Sequence, residues 1–255
     1  MKLLIRSVAI WIVFQLAACS SMTPDASRTA ANPEALESSP WAKASMPAQA
    51  SAEVWQHFKF PGKQATQFSY AREDGREALV ASAKSSASLV RKVVHIPSAD
   101  IGKLKFSWKV PALMPQADMS VKEADDCSVR IVLAFDGDRS RFSPKNAMLS
   151  ELARLLTGEE LPYATLMYVW SKKRPAGSVI VNPRTDRIRK LVVESGDSKL
   201  NSWVDYERTI RADFEKAFGE APGALMSISV MTDSDNTQGN TQAWYGPLTI
   251  SAARP

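Results

Sequence analysis

The chain has 255 residues, of which 45% are hydrophobic and 23% charged, with a formal net charge of +5 and two cysteines. This is the composition of a globular protein. It excludes a disordered chain, a collagen-like repeat, a disulfide-dense miniprotein and a polytopic membrane protein. The length is sufficient for one large domain or two small ones.

The first 18 residues have the layout of an export signal. Lys2 and Arg6 precede an apolar run over 8–18, which is shorter than the roughly 20 residues that span a bilayer as a helix. The run ends in Leu-Ala-Ala before Cys19 and resembles a bacterial lipoprotein signal, in which cleavage exposes a cysteine that receives lipid. The alternative is ordinary export cleavage that leaves Cys19 as a free thiol.

The lipoprotein resemblance implies lipidation of Cys19 and, because Ser20 rather than an acid follows it, transfer to the outer membrane. The lipid anchor would hold the protein on the membrane, facing the periplasm. With Cys19 acylated, Cys127 has no partner for an intrachain disulfide, and we expect it to be a small buried side chain at the start of a strand. Loss of residues 1–18 lowers the formal net charge to +3. The remaining basic clusters are short and diluted by acids, so they do not predict nucleic-acid binding.

Residues 19–52 are predicted to form a tether that begins with the lipidated cysteine. Of the 33 residues in 20–52, 22 are Ala, Ser, Thr or Pro, a composition that cannot build a packed core. A flexible coil of this length has an end-to-end distance on the order of 30 Å. The alternative is a partly folded arm in which Trp41 docks on the body. Residues 53–255 are left to form a single domain.

The folded body is predicted to consist mainly of strands. The clearest is 103–110, where an apolar residue stands at every second position, the pattern of a half-buried strand. Asp74 and Gly75 stand between two further strands and predict a tight hairpin turn. The predicted strands are, in chain order, 67–72, 78–83, 89–96, 103–110, 127–135, 164–171, 178–182, 188–195, 225–232 and 241–250.

Two helices are predicted to interrupt these strands. Ser143 and Pro144 form a cap and first turn, and apolar residues then recur at helical spacing until Gly158. A second apolar stripe begins at Ile210 and ends at Gly219. Many strands, few helices and no regular β-α-β alternation favour antiparallel sheets packed face to face. The predicted fold class is therefore mainly β, an antiparallel β-sandwich with one or two inserted helices.

Segments spread through the body, in order from about 55 to 250, resemble a bacterial family known as domain of unknown function 3047. The resemblance implies an exported protein with a jelly-roll-like β-sandwich, similar to galactose-binding and carbohydrate-binding modules, and it brings no established catalytic residue. An aromatic residue often follows the paired Asp in the family, whereas Cys127 stands here. The matching segments are KSSAS at 84–88, FSWKV at 106–110, KEADD at 122–126, YVW at 168–170, NP at 182–183, VESG at 193–196, FG at 218–219, MTDSDNT at 231–237 and AWYG at 243–246.

The most polar of these segments, 231–237, is a candidate ligand site. Asp233 and Asp235 are two residues apart and are followed by Asn236 and Thr237. In a loop, acids at this spacing can turn toward calcium or toward sugar hydroxyls, although the segment lacks the glycine and distal glutamate of an EF-hand. The alternative is a turn in which Asp and Asn side chains bond their own backbone.

A second acidic cluster, Glu123, Asp125 and Asp126, precedes a strand that also carries Arg130. Paired carboxylates can act as general acid and base in glycoside cleavage if they lie at the right separation across a cleft. A buried ion pair between Asp126 and Arg130, or a solvated strand entry, is the favoured interpretation.

Tyr168 and Trp170 share one face of a predicted strand. Flat aromatic faces with a polar rim suit sugar rings, which present an apolar C–H face and a hydroxyl edge. Because Met167 and Val169 make the opposite face apolar too, core packing is the favoured interpretation.

The sequence contains no zinc-protease, P-loop, paired CxxC or dinucleotide-binding motif. No cofactor is therefore predicted beyond a possible structural calcium at Asp233 and Asp235. The leading hypothesis is a non-catalytic binding module for a glycan or another envelope component. The alternatives are a hydrolase or lyase acting on envelope polysaccharide and a structural assembly subunit. The candidate ligand-binding residues are Tyr168, Trp170, Arg130, Asp126, Asp233, Asp235 and Asn236, and the acids available to an enzyme are Asp125, Asp126, Glu194, Asp233 and Asp235.

Overall fold

A computed structural model describes residues 36–45 and 54–253. Cys19 and the export signal lie outside the described residues, so lipidation stays a prediction. Within the described residues, no helix is both long enough and apolar enough to cross a membrane.

The described chain is built mainly from strands, as predicted. Three helices accompany them: α1 (Pro40–Ala44), α2 (Pro144–Thr157) and α3 (Ile210–Phe218). The strands are β1 (Gln56–Lys59), β2 (Gln67–Glu73), β3 (Arg76–Lys84), β4 (Ala87–Ile96), β5 (Ile101–Lys109), β6 (Cys127–Phe135), β7 (Ala164–Ser171), β8 (Val179–Val181), β9 (Ile188–Ser195), β10 (Val204–Thr209), β11 (Leu225–Asp233), β12 (Asn240–Tyr245) and β13 (Thr249–Ala252).

The strands form two sheets that pack into a sandwich. The seven-stranded sheet has the order β1-β4-β11-β6-β7-β9-β8, and the six-stranded sheet has the order β10-β5-β12-β3-β2, with β13 also pairing with β5. One strand pair departs from the antiparallel prediction, since β7 and β9 are parallel. The reason is that β8 lies on the far side of β9 and runs antiparallel to it. The chain therefore reverses twice between β7 and β9.

The turns and helix ends follow from local chemistry. Asp74 and Gly75 both have positive φ, 49° and 79°, as the predicted tight hairpin between β2 and β3 requires. The side chain of Ser143 caps α2 by accepting a hydrogen bond from the Asn146 amide, and Gly158 ends the helix in the left-handed region. Both predicted helices are confirmed with these boundaries.

The predicted strand 241–250 is two strands in the structure. β12 ends at Tyr245 and β13 begins at Thr249, and both pair with β5, so the strand is interrupted between them. A Cβ atom at Gly246 would lie 2.1 Å from the Ser107 hydroxyl oxygen, so a larger residue there would displace the Ser107 side chain. The alternation in the sequence does not reveal this close approach between β5 and the chain after β12.

The core between the sheets is rich in aromatic side chains. Phe106 on β5 stacks on Tyr168 of β7, with ring centroids 5.6 Å apart. It also contacts Trp108 and Tyr206, at 5.1 Å each. Such ring pairs stabilise a core beyond the area they bury. The Phe106–Tyr168 contact therefore joins the two sheets, and the other two ring contacts pack within the six-stranded sheet.

Part of the predicted tether packs on the body. Trp41 of α1 is fully buried, with its ring centroid 5.0 Å from that of Trp55. The indole nitrogen of Trp55 donates to the carbonyl of Ser45 at 3.1 Å, and the Ser45 hydroxyl accepts from the Leu248 amide at 3.2 Å. Residues 36–45 therefore belong to the folded body, as the docked-arm alternative describes.

Replacing Trp41 with Ala should lower the free energy of unfolding by about 3 kcal/mol, because the substitution empties a fully buried indole site. Urea unfolding followed by circular dichroism measures this change. Val54→Ala is the control, because Val54 is 41% exposed and its truncation should change the stability little. A Trp41→Ala protein as stable as the Val54→Ala protein would show that the arm contributes nothing to the fold.

Candidate functional site

A groove of about 1070 Å³ runs over the outer face of the six-stranded sheet. Strands β2, β3 and β12 form its floor with outward side chains that include Gln67, Ser82 and Gln242. Two loops, 111–116 and 237–239, form its walls.

The strand register explains why polar side chains meet in this groove. Gln242 pairs with Ser82, and Ser82 pairs with Gln67, so the three lie in one row across the sheet. Their neighbours along the strands, such as Ala81 and Ala243, point into the core. The period of two along a strand therefore separates a polar floor from an apolar core.

Carboxamides are the most frequent polar side chains in the lining of the groove. Each carboxamide carries two N–H donors and an acceptor oxygen, so it can bond a hydroxyl in either direction without carrying charge. Lys84 is a cation in the lining, and none of the described lining residues is Asp or Glu. Leu113 and Met114 supply apolar surface on one wall. The six carboxamides are Gln64, Gln67, Gln116, Gln238, Asn240 and Gln242.

Trp244 lies just beyond the groove on the same outward face of β12. It is half-buried and pairs with Lys109 of β5 and Val80 of β3. The Lys109 ammonium lies 5.5 Å from the centroid of the indole ring and also bonds Glu73 and Asp74, at 2.5 and 2.8 Å. This arrangement holds the indole in place beside the carboxamide row.

One wall of the groove is held by a buried carboxylate. Asp126, which is 1% exposed, accepts hydrogen bonds from the amides of Asn236 and Thr237, at 3.0 and 2.6 Å. It also accepts one from the Thr237 hydroxyl at 2.6 Å. Thr237 and the next two residues line the groove. Asp126 and Asn236 were both predicted to bind ligand. In the structure they bond to each other and stabilise the loop that forms this wall.

Two of the other predicted acids, Asp125 and Asp233, contact Arg130 in a buried ion cluster on the outer face of the seven-stranded sheet. The Arg130 guanidinium bonds both carboxylate oxygens of Asp233, at 2.8 and 2.9 Å. It also lies 3.2 Å from Asp125, whose carboxylate bonds the Lys190 ammonium at 2.6 Å. The acid partners of Arg130 are therefore Asp233 and Asp125, whereas the sequence suggested Asp126. The cause is the pairing of β11 with β6, which sets Asp233 opposite Cys127.

Burial shifts the pKa values of the groups in this cluster. It raises the pKa of Asp233 to about 6, against the opposing effect of the Arg130 guanidinium, and lowers the pKa of Lys190 to about 8. Both groups are therefore charged at neutral pH. Burial also raises the pKa of the Cys127 thiol, whose hydrogen-bond acceptors are the carbonyls of Val129 and Trp170. As expected, Cys127 is a buried residue at the start of β6.

Carboxylate oxygens of Asp126, Asp233 and Asp235 lie within 4.8 Å of one another, a spacing that could hold a metal ion. Side-chain cations already bond two of the three, because Arg130 binds Asp233 and Lys63 binds Asp235. Asp126 is bonded to the groove wall. The expectation of calcium at Asp233 and Asp235 stays a prediction, and the protein's own cations compete for this site.

Tyr168 and Trp170 lie in the core, with relative exposures of 0% and 2%. The Tyr168 hydroxyl donates to Asp213 at 2.9 Å, and the Trp170 indole donates to the carbonyl of Gly196 at 2.9 Å. Neither ring offers a face to solvent, so neither can form a stacking platform for a sugar. Their strand packs against the other sheet on the face that they share, and the core interpretation is the correct one.

Glu194 lies apart from the other acids considered for catalysis. Its carboxylate accepts a hydrogen bond from the Tyr206 hydroxyl at 2.6 Å and pairs with Lys199 at 2.7 Å. The structure therefore brings together Asp125, Asp126, Asp233 and Asp235, but does not place them among the residues that line the groove.

The sequence-based list of site residues omitted the carboxamides of the groove and Trp244. Part of the signal was present, because a strand at 241–250 with a period of two sets Gln242 and Trp244 on one face and Ala243 and Tyr245 on the other. The sequence does not reveal that Gln67 of β2 and the loop 111–116 come to the same place. That convergence depends on strand order.

The architecture defines a jelly-roll-like β-sandwich with a polar groove on one outer face. The chain belongs to the family described as "Protein of unknown function (DUF3047)", whose model matches residues 53–249. This match confirms the family resemblance derived from the sequence motifs. No curated protein matches the chain.

Similar solved structures include the xyloglucanase domain of NopAA, a type three effector from Sinorhizobium fredii, in complex with cellobiose. It has 9% identity, covers 82% of this chain and 100% of its own, and has a TM-score of 0.42. TmCBM61 in complex with β-1,4-galactotriose has 13% identity, covers 78% and 88%, and has a TM-score of 0.31. SGBP-B from a xyloglucan utilization locus in Bacteroides uniformis has 8% identity, covers 82% and 58%, and has a TM-score of 0.29.

Replacing Arg130 with Met should lower the free energy of unfolding by about 3 to 5 kcal/mol, because it leaves the Asp233 carboxylate buried without its cation. Adding Asp233→Asn should recover part of this loss, since the unpaired charge is then removed. Guanidinium unfolding of the two variants measures both changes.

The control for this pair is Arg72→Met. Arg72 makes an exposed ion pair with Glu77 at 3.9 Å, so its loss should cost less than about 1 kcal/mol. If Arg130→Met is no more costly than the control, the buried cluster does not stabilise the fold.

Proposed function

We propose that this protein is a non-catalytic glycan-binding module of the cell envelope, anchored by lipid at Cys19 to the outer membrane and facing the periplasm. The carboxamide-lined groove on the six-stranded sheet is the observation that carries the binding proposal. The lipoprotein resemblance of residues 16–20 carries the anchoring proposal.

The chemistry of the groove suits a neutral, hydroxyl-rich ligand. A sugar hydroxyl both donates and accepts hydrogen bonds, and a carboxamide is an uncharged side chain that can also do both. The apolar wall of Leu113 and Met114 complements the C–H face of a sugar ring. A site for an anionic ligand is expected to contain several cationic side chains, whereas Lys84 is the cation in this lining.

The size of the groove favours more than one sugar unit. About 1070 Å³ lies at the upper end of the roughly 300 to 1,000 Å³ typical of small-molecule sites. Its floor extends across three strands, between the loops 111–116 and 237–239. This extent supports an oligosaccharide as the ligand.

The enzyme alternative has less support from the geometry. Glycoside cleavage needs two carboxyl groups on either side of the glycosidic bond that is cleaved, about 5 to 10 Å apart. The clustered acids are instead bonded to Arg130, Lys190, Lys63 and backbone amides. None of them is among the described residues that line the groove, so a ligand there would lack an acid and base pair.

Glycan binding is tested by screening the chain from Ser20 onward on an array of neutral and acidic oligosaccharides, with and without calcium. We expect binding to neutral oligosaccharides that is independent of calcium. Gln242→Ala and Asn240→Ala should each weaken binding to the best oligosaccharide by about 3- to 10-fold, because each removes a hydrogen-bonding group. Isothermal titration measures the affinities.

The matched control is Gln56→Ala on the exposed edge strand β1, which should leave the affinity unchanged. Binding that survives both groove substitutions would exclude the groove as the site. Release of new reducing ends from the same oligosaccharide would instead support the hydrolase alternative.

Lipid anchoring has its own test. Metabolic labelling with a palmitate analogue should mark the wild type and not Cys19→Ala, because the thiol is the acyl acceptor. Cys127→Ala, which removes the buried thiol, should be labelled like the wild type. Equal extraction of wild type and Cys19→Ala into the soluble fraction would contradict the anchor.

A further inference from the structure

Helix α2 turns Asn146 and Ser150 toward the body, beside the partly buried Leu149 and Ala153, and leaves its other large apolar side chains exposed to solvent. Asn146 and Ser150 are 4% and 6% exposed. Asn146 bonds Asp186 and Thr185, at 2.7 and 2.8 Å, and the Ser150 hydroxyl accepts from Arg139 at 3.1 Å. A surface helix of a globular protein has the opposite arrangement, with its apolar stripe on the core.

Four large apolar side chains form a stripe on the outward side of α2. They stand at positions i, i+4, i+7 and i+8, so they share one helix face. An exposed apolar patch of this kind marks an interaction surface. The four residues are Met148, Leu152, Leu155 and Leu156, which are 64%, 49%, 70% and 62% exposed.

The helix lies over the outer face of the seven-stranded sheet. Near its start, Asn146 and Thr165 of β7 line one small cavity. Just beyond its end, Glu159 pairs with Arg91 of β4 at 2.6 Å. Thr165 and Arg91 alternate with the core residues Leu166 and Val90, so both point away from the core. The stripe and the groove are therefore on opposite outer faces of the sandwich.

We propose that this stripe inserts shallowly into the surface of a lipid bilayer. A second copy of the chain is the weaker occupant, because four such side chains offer at most about 400 Å² of apolar area. A standard protein interface buries roughly 800 Å² on each partner. A bilayer requires no complementary shape, and an apolar helix face lying in the membrane interface is a known mode of attachment.

The length of the chain before α1 places a bilayer within reach. Sixteen residues separate Cys19 from Leu36, so the two lie at most about 60 Å apart in any conformation. This step rests on the proposed lipid anchor. An anchored body meets the membrane at a high effective concentration, which strengthens a helix contact that the unacylated chain also makes. Docking through α2 then turns the groove away from the membrane.

The charges on α2 predict how the contact depends on lipid type. The helix carries two cations, Lys145 and Arg154, and one acid, Glu151, which pairs with Arg154. Electrostatic attraction to anionic lipid is therefore small beside the apolar contribution. We expect binding to vesicles of neutral lipid as well as anionic lipid, with little dependence on salt.

The experiment is cosedimentation of the unacylated chain from Ser20 onward with large vesicles of phosphatidylethanolamine and phosphatidylglycerol. This chain retains every residue that the structure describes. The wild type should bind, and a variant with Met148, Leu152, Leu155 and Leu156 all changed to Gln should lose at least about tenfold in the partition coefficient. Circular dichroism and thermal unfolding verify that the variant folds.

The matched control changes three exposed valines elsewhere to Gln, namely Val54, Val121 and Val181. It should bind vesicles like the wild type, and so should Gln242→Ala of the groove. Failure of the wild type to bind vesicles, or equal binding by the quadruple variant, would overturn the proposal. A dimer in sedimentation velocity that the quadruple variant abolishes, without vesicle binding, would assign the stripe to a second copy. Glycan affinity is measured separately and does not depend on either outcome.

Discussion

The buried pairing of Arg130 with Asp233 is the interaction on which the rest of the groove's architecture depends. Arg130 lies on β6 and Asp233 ends β11, so their two hydrogen bonds fix the ends of two central strands to each other. A charge buried this deeply is tolerated only with its partner and with its remaining hydrogen bonds satisfied. Asp125 accepts a further hydrogen bond from the Arg130 guanidinium, and the Lys190 ammonium in turn bonds Asp125.

The same cluster is connected to one wall of the groove. Asp126 follows Asp125 directly in the chain and bonds the loop that begins after Asp233. Residues 237–239 of that loop form one groove wall. The acidic motifs of the sequence therefore support the groove rather than line it. Their carboxylates are committed to cations and amides of the protein, which leaves the neutral carboxamides to meet a ligand.

The two outer faces of the sandwich have different chemistry. The six-stranded sheet presents a polar groove, and α2 lies on the outer side of the seven-stranded sheet with its stripe turned outward. Each surface is formed by the side of a regular element that does not pack into the core: the outward face of the six-stranded sheet and the exposed face of α2. A glycan held in the groove and a membrane beneath α2 would lie on opposite sides of the body, so the two proposed contacts do not compete for the same surface.

Local patterns predicted most of the elements because each depends on a few neighbouring residues. Strands β6, β7 and β9, helices α2 and α3 and the Asp74-Gly75 turn follow from alternation, capping residues and glycine. Two strands were missed, β1 and β10. β1 has only four residues, and β10 has only partly buried side chains on its inner face. Neither carries a strong periodic signal, and each is formed by pairing with a stronger neighbour.

The sequence by itself determined the fold class, the family and the predicted export signal, since these rest on composition, periodicity and short motifs. Tertiary structure alone decided which side chains share a site. Tyr168 and Trp170 are core because their strand faces the other sheet, and Gln67 meets Gln242 because β3 lies between their strands. The direction of the α2 stripe is also a tertiary result. A period of 3.6 shows that a helix has two faces, whereas the contacts of Asn146 and Ser150 decide which of them faces the body.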